Sequence, residues 1–302
     1  MISVIIPHFN QPEFLARCLA SVCGQAAGAH SVEIIVVDNG SRQLPQAIVA
    51  RFPGVQLAQE PTSGPGPARN CGVALSRGEI LAFIDTDCVA AADWLAAIAR
   101  RFDSDPRAMI LGGDVQILHV DPARPTFNEA YEAEFSFRNQ HYIAKQSFAV
   151  TANLAMRRAV FEAVGGFGGI GIAEDRDWGQ RASAKGYPTL WEPAMRADHP
   201  ARSGFTELAR KWDRHTAHDF ETIVARPLGR LRWVLRTAAM VASPFAAIPR
   251  VLRSGRIKGG AVGKLMALVI LVRIRLYRAR SMVPLIFARD ASRLSGRWRD
   301  QG

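Results

Sequence analysis

Asp85-Thr86-Asp87 sets two carboxylates one residue apart, directly after the apolar run Ile80-Leu81-Ala82-Phe83-Ile84. A buried strand ending in such a pair places hard oxygen ligands at the mouth of a sheet. That chemistry suits Mg²⁺ or Mn²⁺ carrying a phosphate, because these cations take few protein carboxylates and keep positions for substrate oxygens. In open α/β sheets, ligands bind beyond the carboxyl ends of the strands. The same residues also fit an Asp-rich turn, since Asp87 lies shortly before the helical stretch 90–102. Residue type alone leaves both readings open.

Three further groups stand near expected strand or helix ends. Asp38 follows Ile34-Ile35-Val36-Val37 and opens Asp-Asn-Gly-Ser, either a simple turn or an acceptor for a nucleobase or ribose. Arg69-Asn70 begins a helix after Gly64-Pro65-Gly66-Pro67, a place for a phosphate or base as well as for an ordinary surface arginine. Glu174-Asp175-Arg176-Asp177 follows the glycine-rich loop 165–171. Acids at a helix start satisfy the helix dipole, and an acid there also serves as a general base toward an acceptor hydroxyl. His199 stands alone in Arg196-Ala197-Asp198-His199-Pro200, as a structural histidine or a metal ligand. GPGPAR lacks the Gly-Lys-Ser/Thr of a P-loop, and the first turn, Pro7-His8-Phe9-Asn10, lacks GxGxxG.

The elements that must position these groups alternate through the first 120 residues. Strands are predicted at 3–7, 32–37, 55–58, 80–84 and 109–112, with helices at 13–23, 44–52, 67–76 and 91–102. Continuous apolar strands between helices predict a parallel sheet covered on both faces. Residues 120–200 are less regular: helices are expected at 128–142, 157–164 and 174–185, and a short strand at 189–191. From about Phe205 the chain reads as helical and basic.

The net charge of +11 is uneven: residues 200–302 hold 21 Lys/Arg against 6 Asp/Glu, and residues 1–199 hold 17 against 21. Such asymmetry points to an anionic partner for the tail. Its longest uncharged stretch, 237–249, is 13 residues long, too short for a transmembrane helix of about 20 residues. Apolar faces flanked by arginines predict helices lying in the interface of an anionic leaflet; a helical subdomain with solvated arginines is the alternative. The four cysteines show no CxxC and no His-paired spacing, which predicts reduced thiols in a cytosolic protein. Met1-Ile2-Ser3-Val4-Ile5-Ile6-Pro7 moves straight into a strand, so no secretory signal is expected.

Taken in order, these pieces resemble glycosyltransferase family 2, the inverting enzymes of GT-A fold. The resemblance is carried by Val4-Ile5-Ile6-Pro7 with Asn10, Glu33–Ser41, Ala68-Arg69-Asn70-Cys71-Gly72 and Gly78–Asp87. It continues through Thr151–Arg158, Val164–Phe167, Glu174–Asp177, Arg181 and Gly186-Tyr187, covering roughly residues 2–215. It implies a Rossmann-like, mostly parallel α/β sheet with helices on both faces: a catalytic domain at 1–204, followed by a basic helical region at 205–302. By resemblance, Asp38 and Arg69 contact the base of a nucleotide-sugar, and Pro7 and Asn10 line the nucleotide pocket. Asp85 holds the ribose or metal side, and Asp87 coordinates a divalent cation, Mg²⁺ or Mn²⁺. Asp175 is the catalytic base, Glu174 positions it or the acceptor, and His199 matches a further metal ligand. The QxxRW element of processive members is not found, which implies one sugar per encounter. The tail adds the expectation of a lipid-linked or glycolipid acceptor and a peripheral place on the cytoplasmic membrane face. The rival readings are a nucleotidyltransferase of related fold and a nucleic-acid-binding protein; for the latter, the tail's arginines interleave with aliphatic runs more than with stacking aromatics.

Overall fold

The computed structural model describes residues 1–25, 28–288 and 290–291. In chain order the elements are β1 (Ile2–His8), α1 (Pro12–Val22), β2 (Val32–Asp38), α2 (Gln46–Val49), β3 (Val55–Gln59), α3 (Pro65–Leu75), β4 (Ile80–Ile84), β5 (Val89–Ala90) and α4 (Trp94–Ser104). They continue with β6 (Ile110–Leu118), α5 (Phe127–Phe135), α6 (Asn139–Gln146), β7 (Asn153–Arg157), α7 (Arg158–Val164), α8 (Glu174–Ala184) and β8 (Thr189–Pro200). Three long helices follow: α9 (Phe205–Val224), α10 (Gly229–Arg253) and α11 (Gly260–Met282).

By contact the chain divides into two units: residues 1–116 with 137–199, and residues 117–136 with the described part of 200–302. In the first unit the strand order is β3-β2-β1-β4-β7-β6-β8-β5. The strands β3, β2, β1 and β4 run parallel, and β7 pairs antiparallel with both β4 and β6. Side chains alternate across a strand, so Val4, Ile6, Ala82 and Ile84 join one core with Leu15, Leu19, Trp94 and Ile98. Ile5, Leu81 and Phe83 join the other, with Leu154, Val160 and Trp178. Both faces are covered, which explains why β1, β2 and β4 are nearly unbroken apolar runs.

Three differences from the sequence expectation have local causes. The helix expected over 128–142 is two helices, because Phe137 adopts φ +48° and interrupts the ladder between α5 and α6. The helix expected over 44–52 shrinks to the single turn of α2. Strand β7 was not anticipated, since Asn153 breaks its apolar pattern. Its side chain is nevertheless buried, donating to the carbonyls of Asp114 and Met195 at 2.8 Å and accepting from Trp94 Nε1.

The second unit, which includes residues 117–136, packs α5 with α9, α10 and α11. One core joins Phe220, Trp233, Met240 and Met282; another joins Tyr131, Leu208, Ile270, Leu271 and Ile274. Glu132 is fully buried and accepts from Arg202, from Lys211 Nζ at 3.4 Å and from Ser136 Oγ at 2.9 Å. Burial alone raises its pKa, but the Lys211 and Arg202 charges outweigh burial and hold the carboxyl down at about 2. Among the described residues, no helix is long and apolar enough to cross a membrane.

Candidate active site

The ends of β1 and β2 are in register, with His8 opposite Asp38. Asp38 is buried, its Oδ1 accepting from His8 Nδ1 at 2.9 Å and its Oδ2 from the Ser41 amide at 3.0 Å. Burial works against its charge, but the hydrogen bonds from Ser41 and His8 prevail and hold its pKa below the usual range. Asp38 therefore braces the turn from within. The exposed groups at this corner belong to its neighbours: the Asn10 amide donates to Ser41 Oγ at 2.8 Å, and Asn10 Oδ1 accepts from the Arg42 amide at 2.9 Å. The Pro7 carbonyl accepts from Thr86 Oγ1 at 2.7 Å, tying the end of β1 to the acidic turn after β4.

Arg69 joins the two acidic groups that lie far apart in sequence. It sits in the first turns of α3, buried, after Gly64 at φ +123°. Its Nη2 donates to Asp85 Oδ1 at 2.6 Å and its Nη1 to Glu174 Oε1 at 3.3 Å. Burial opposes the guanidinium charge, yet the carboxylates of Asp85, Glu174 and Asp175 raise its pKa above the ordinary value. Beside this bridge, Asp175 Oδ1 accepts from Thr151 Oγ1 at 2.6 Å and from the Thr151 amide at 3.2 Å. Burial and the adjacent Glu174 charge push the Asp175 carboxyl up to about 7, against the pull of Arg69 and Thr151. That value is suited to proton abstraction near neutrality.

The glycine-rich loop before α8 is fixed from two helices. Asn70 accepts from the Phe167 amide at 2.8 Å and donates to the Phe167 carbonyl at 2.9 Å. Arg181 donates to the carbonyls of Val164 and Gly166. The approach of α3 to this loop needs glycine: a Cβ on Gly66 would meet the Gly168 carbonyl oxygen at 2.0 Å.

On the far side of the acidic turn, Asp87 Oδ2 lies 3.2 Å from His199 Nε2, and the His199 ring packs on Phe137 at 4.5 Å. One carboxylate and one imidazole form a donor set that fits Mn²⁺ better than Mg²⁺, which prefers oxygen ligands alone. Asp85 keeps part of its carboxylate exposed beyond its bond to Arg69. Among the described residues no preformed group of three or more His, Cys, Asp or Glu gathers as a metal cage. A cation carried in by a diphosphate needs only one or two protein ligands, so these residues fit such a group.

The structure thus brings Arg69, Asp85, Glu174 and Asp175 together, and pairs Asp87 with His199. Sequence reasoning gave no role to Thr151, Asn70 or His8. Thr151 and Asn70 do lie inside the quoted motif stretches; His8 carries no signal until β1 and β2 are aligned.

Relatives bear on this arrangement. The family model described as glycosyl transferase family 2 matches residues 3–165. Glycosyltransferase AglE of Haloferax volcanii is 33% identical over 216 residues, covering 70% of this chain and 70% of its own. The chain spans 52%, 34% and 21% of the length of three other curated relatives. Among solved structures, the mannosyltransferase PcManGT from Pyrobaculum calidifontis, in complex with GDP-Man and Mn²⁺, has TM-score 0.60 at 20% identity. That match covers 100% of this chain and 88% of the other. S. aureus TarS 1–349 in complex with UDP-GlcNAc has TM-score 0.53 at 19% identity, over 71% and 66%. The fold is GT-A, and the chain is a glycosyltransferase belonging to family 2.

Proposed function

We propose that this glycosyltransferase moves one sugar, with inversion, from a nucleoside-diphosphate sugar to an acceptor hydroxyl. The observation that carries the reading is the Arg69 bridge. It sets Glu174 against Asp85, at the ends of two elements 89 positions apart, with Asp175 seated beside them on Thr151. In this reading ionised Asp175 takes the acceptor proton as the acceptor oxygen attacks the anomeric carbon from the face opposite the leaving diphosphate. A single displacement inverts that centre without a covalent enzyme intermediate. Arg69 holds Glu174 so that its charge keeps Asp175 basic, and Asn70 and Arg181 keep the glycine loop in place.

Asp87 and His199, with Asp85 at the edge, would hold a divalent cation, which when bound supplies positive charge for the departing diphosphate. The nucleotide-sugars named with PcManGT and TarS support a donor of this class. Pro7 and Asn10 line the nucleotide side in this reading, while Arg69, through its bridge, and Asp38, through His8 and Ser41, support it from behind. The absence of QxxRW from the sequence favours single additions. Residues 1–204 carry the catalysis, and the basic region 205–302 serves a lipid-linked or glycolipid acceptor as a peripheral element of the cytoplasmic membrane face. With the family established, the nucleotidyltransferase reading has no observation in its favour, and the nucleic-acid reading has only the charge of the tail.

The test is Asp175→Asn. Transfer is expected to fall by about 10²–10⁴-fold, while calorimetric affinity for the donor nucleotide stays within a few-fold. Full turnover, or loss of nucleotide binding, rejects the role. Turnover of a panel of nucleotide-sugars with Mg²⁺ or Mn²⁺ tests the donor class directly.

A further inference from the structure

Residues 226–288 contain 13 Lys/Arg and no Asp or Glu. The same segment leaves much of its apolar surface uncovered. On α10 the residues Leu231, Leu235, Val241, Phe245, Ile248 and Leu252 are exposed, Phe245 at 76%. They fall along one side of the helix, next to the buried face of Trp233, Thr237, Met240 and Pro244. At 1.5 Å per residue this stripe is about 30 Å long. On α11 the exposed residues Val262, Leu265, Val269, Val272 and Leu276 follow steps of three and four, opposite buried Ala267, Ile270, Leu271 and Ile274. The two helices pack on each other.

Exposed apolar stripes of this length mark an interaction site. We propose that the outward faces of α10 and α11 form the docking surface of this protein for an anionic phospholipid bilayer. The proposal rests on the membrane part of the function proposed above and names the surface that serves it. Three features select a lipid surface. The helices are too interrupted by charge to span a bilayer, so their apolar faces lie in its plane. Arg232 and Arg253 flank the α10 stripe and Arg280 the α11 stripe, all three exposed, where they meet lipid phosphates. A second copy of the chain would bring the same wholly basic segment against itself, which like-charge repulsion opposes. Nucleic acid matches the charge, but the exposed side chains between these arginines are aliphatic and offer no stacking platform.

Flotation of the full chain with vesicles of phosphatidylcholine, with and without phosphatidylglycerol, tests this. Binding is expected with phosphatidylglycerol and is expected to weaken as salt is raised. The double variant Phe245→Glu/Val269→Glu should lose at least about ten-fold in partitioning. Arg232→Gln, Arg253→Gln and Arg280→Gln should each lose about five-fold, on anionic vesicles only. Far-UV circular dichroism and nucleotide-sugar hydrolysis should match the parent in every variant, showing that the fold survives. Flotation unchanged in the double variant overturns the proposal. So does a dimer in light scattering that Phe245→Glu dissolves while the parent ignores vesicles, or RNA binding with no vesicle binding. If the parent floats as expected but turns over no nucleotide-sugar, the docking surface stands and the transferase reading falls.

Discussion

Asp175 is held between opposing influences. Burial and Glu174 raise its pKa to about 7, and Arg69 and Thr151 pull it down. A general base works in its ionised form, so kcat/KM for transfer should rise with pH up to about 7 and level off above it. A profile flat from pH 5 to 8 would remove Asp175 from the role. The Arg69 charge sets where that limb lies. Arg69→Gln deletes the cation that favours ionised Asp175, so the limb should move to higher pH and activity at neutrality should fall. The same change leaves Asp85 and Glu174 without their shared partner, at a cost of about 3–5 kcal/mol in stability, readable by chemical denaturation. The carboxylates of this site were legible in the sequence because strand ends and helix starts announce themselves locally. Thr151 and His8 were not, because each gains its meaning from a partner 24 or 30 positions away.

At the scale of elements, β1, β2, β4 and α3 were legible because both-face burial writes apolar runs and Gly-Pro pairs write helix starts. β7 was hidden by one buried asparagine, and the α5–α6 break by one left-handed phenylalanine. Periodicity cannot report either. The junction of α3 with the glycine loop is the contact on which the site's frame depends most. Gly66→Ala puts a methyl group against the Gly168 carbonyl, so α3 or the loop must shift. Such overpacking costs about 1–3 kcal/mol. A lowered melting temperature with a larger loss of transfer than of nucleotide affinity is the expected result, and a variant indistinguishable from the parent would show that the frame tolerates movement.

At the scale of the whole molecule, the charge asymmetry between the halves was visible in the sequence, and so was the helical character of the second. The inclusion of 117–136 in the second unit was not, since no composition shift marks it. Glu132 shows what that inclusion achieves. Its pKa of about 2 lies well below that of an ordinary glutamate. Its contribution is therefore complete above about pH 4.5 and is lost as pH falls through about 2, a span of order 3 kcal/mol. Glu132→Gln should destabilise the second unit at pH 7 and flatten the acid limb of its unfolding curve. Equal stability of variant and parent at pH 7 would refute the carboxylate's role.

That carboxylate also imposes an order on biosynthesis. Arg202 follows Glu132 by 70 residues and Lys211 by 79. At translation rates of about 5–20 residues per second, α5 waits several seconds for the cations that neutralise its buried acid. Its unit cannot close around Glu132 before that, and it takes the rest of its core from α9, α10 and α11 later still. A chain cut after residue 204 would leave the ribosome with α5 lacking most of its cover, so the second unit finishes folding only once the last third of the chain has been made.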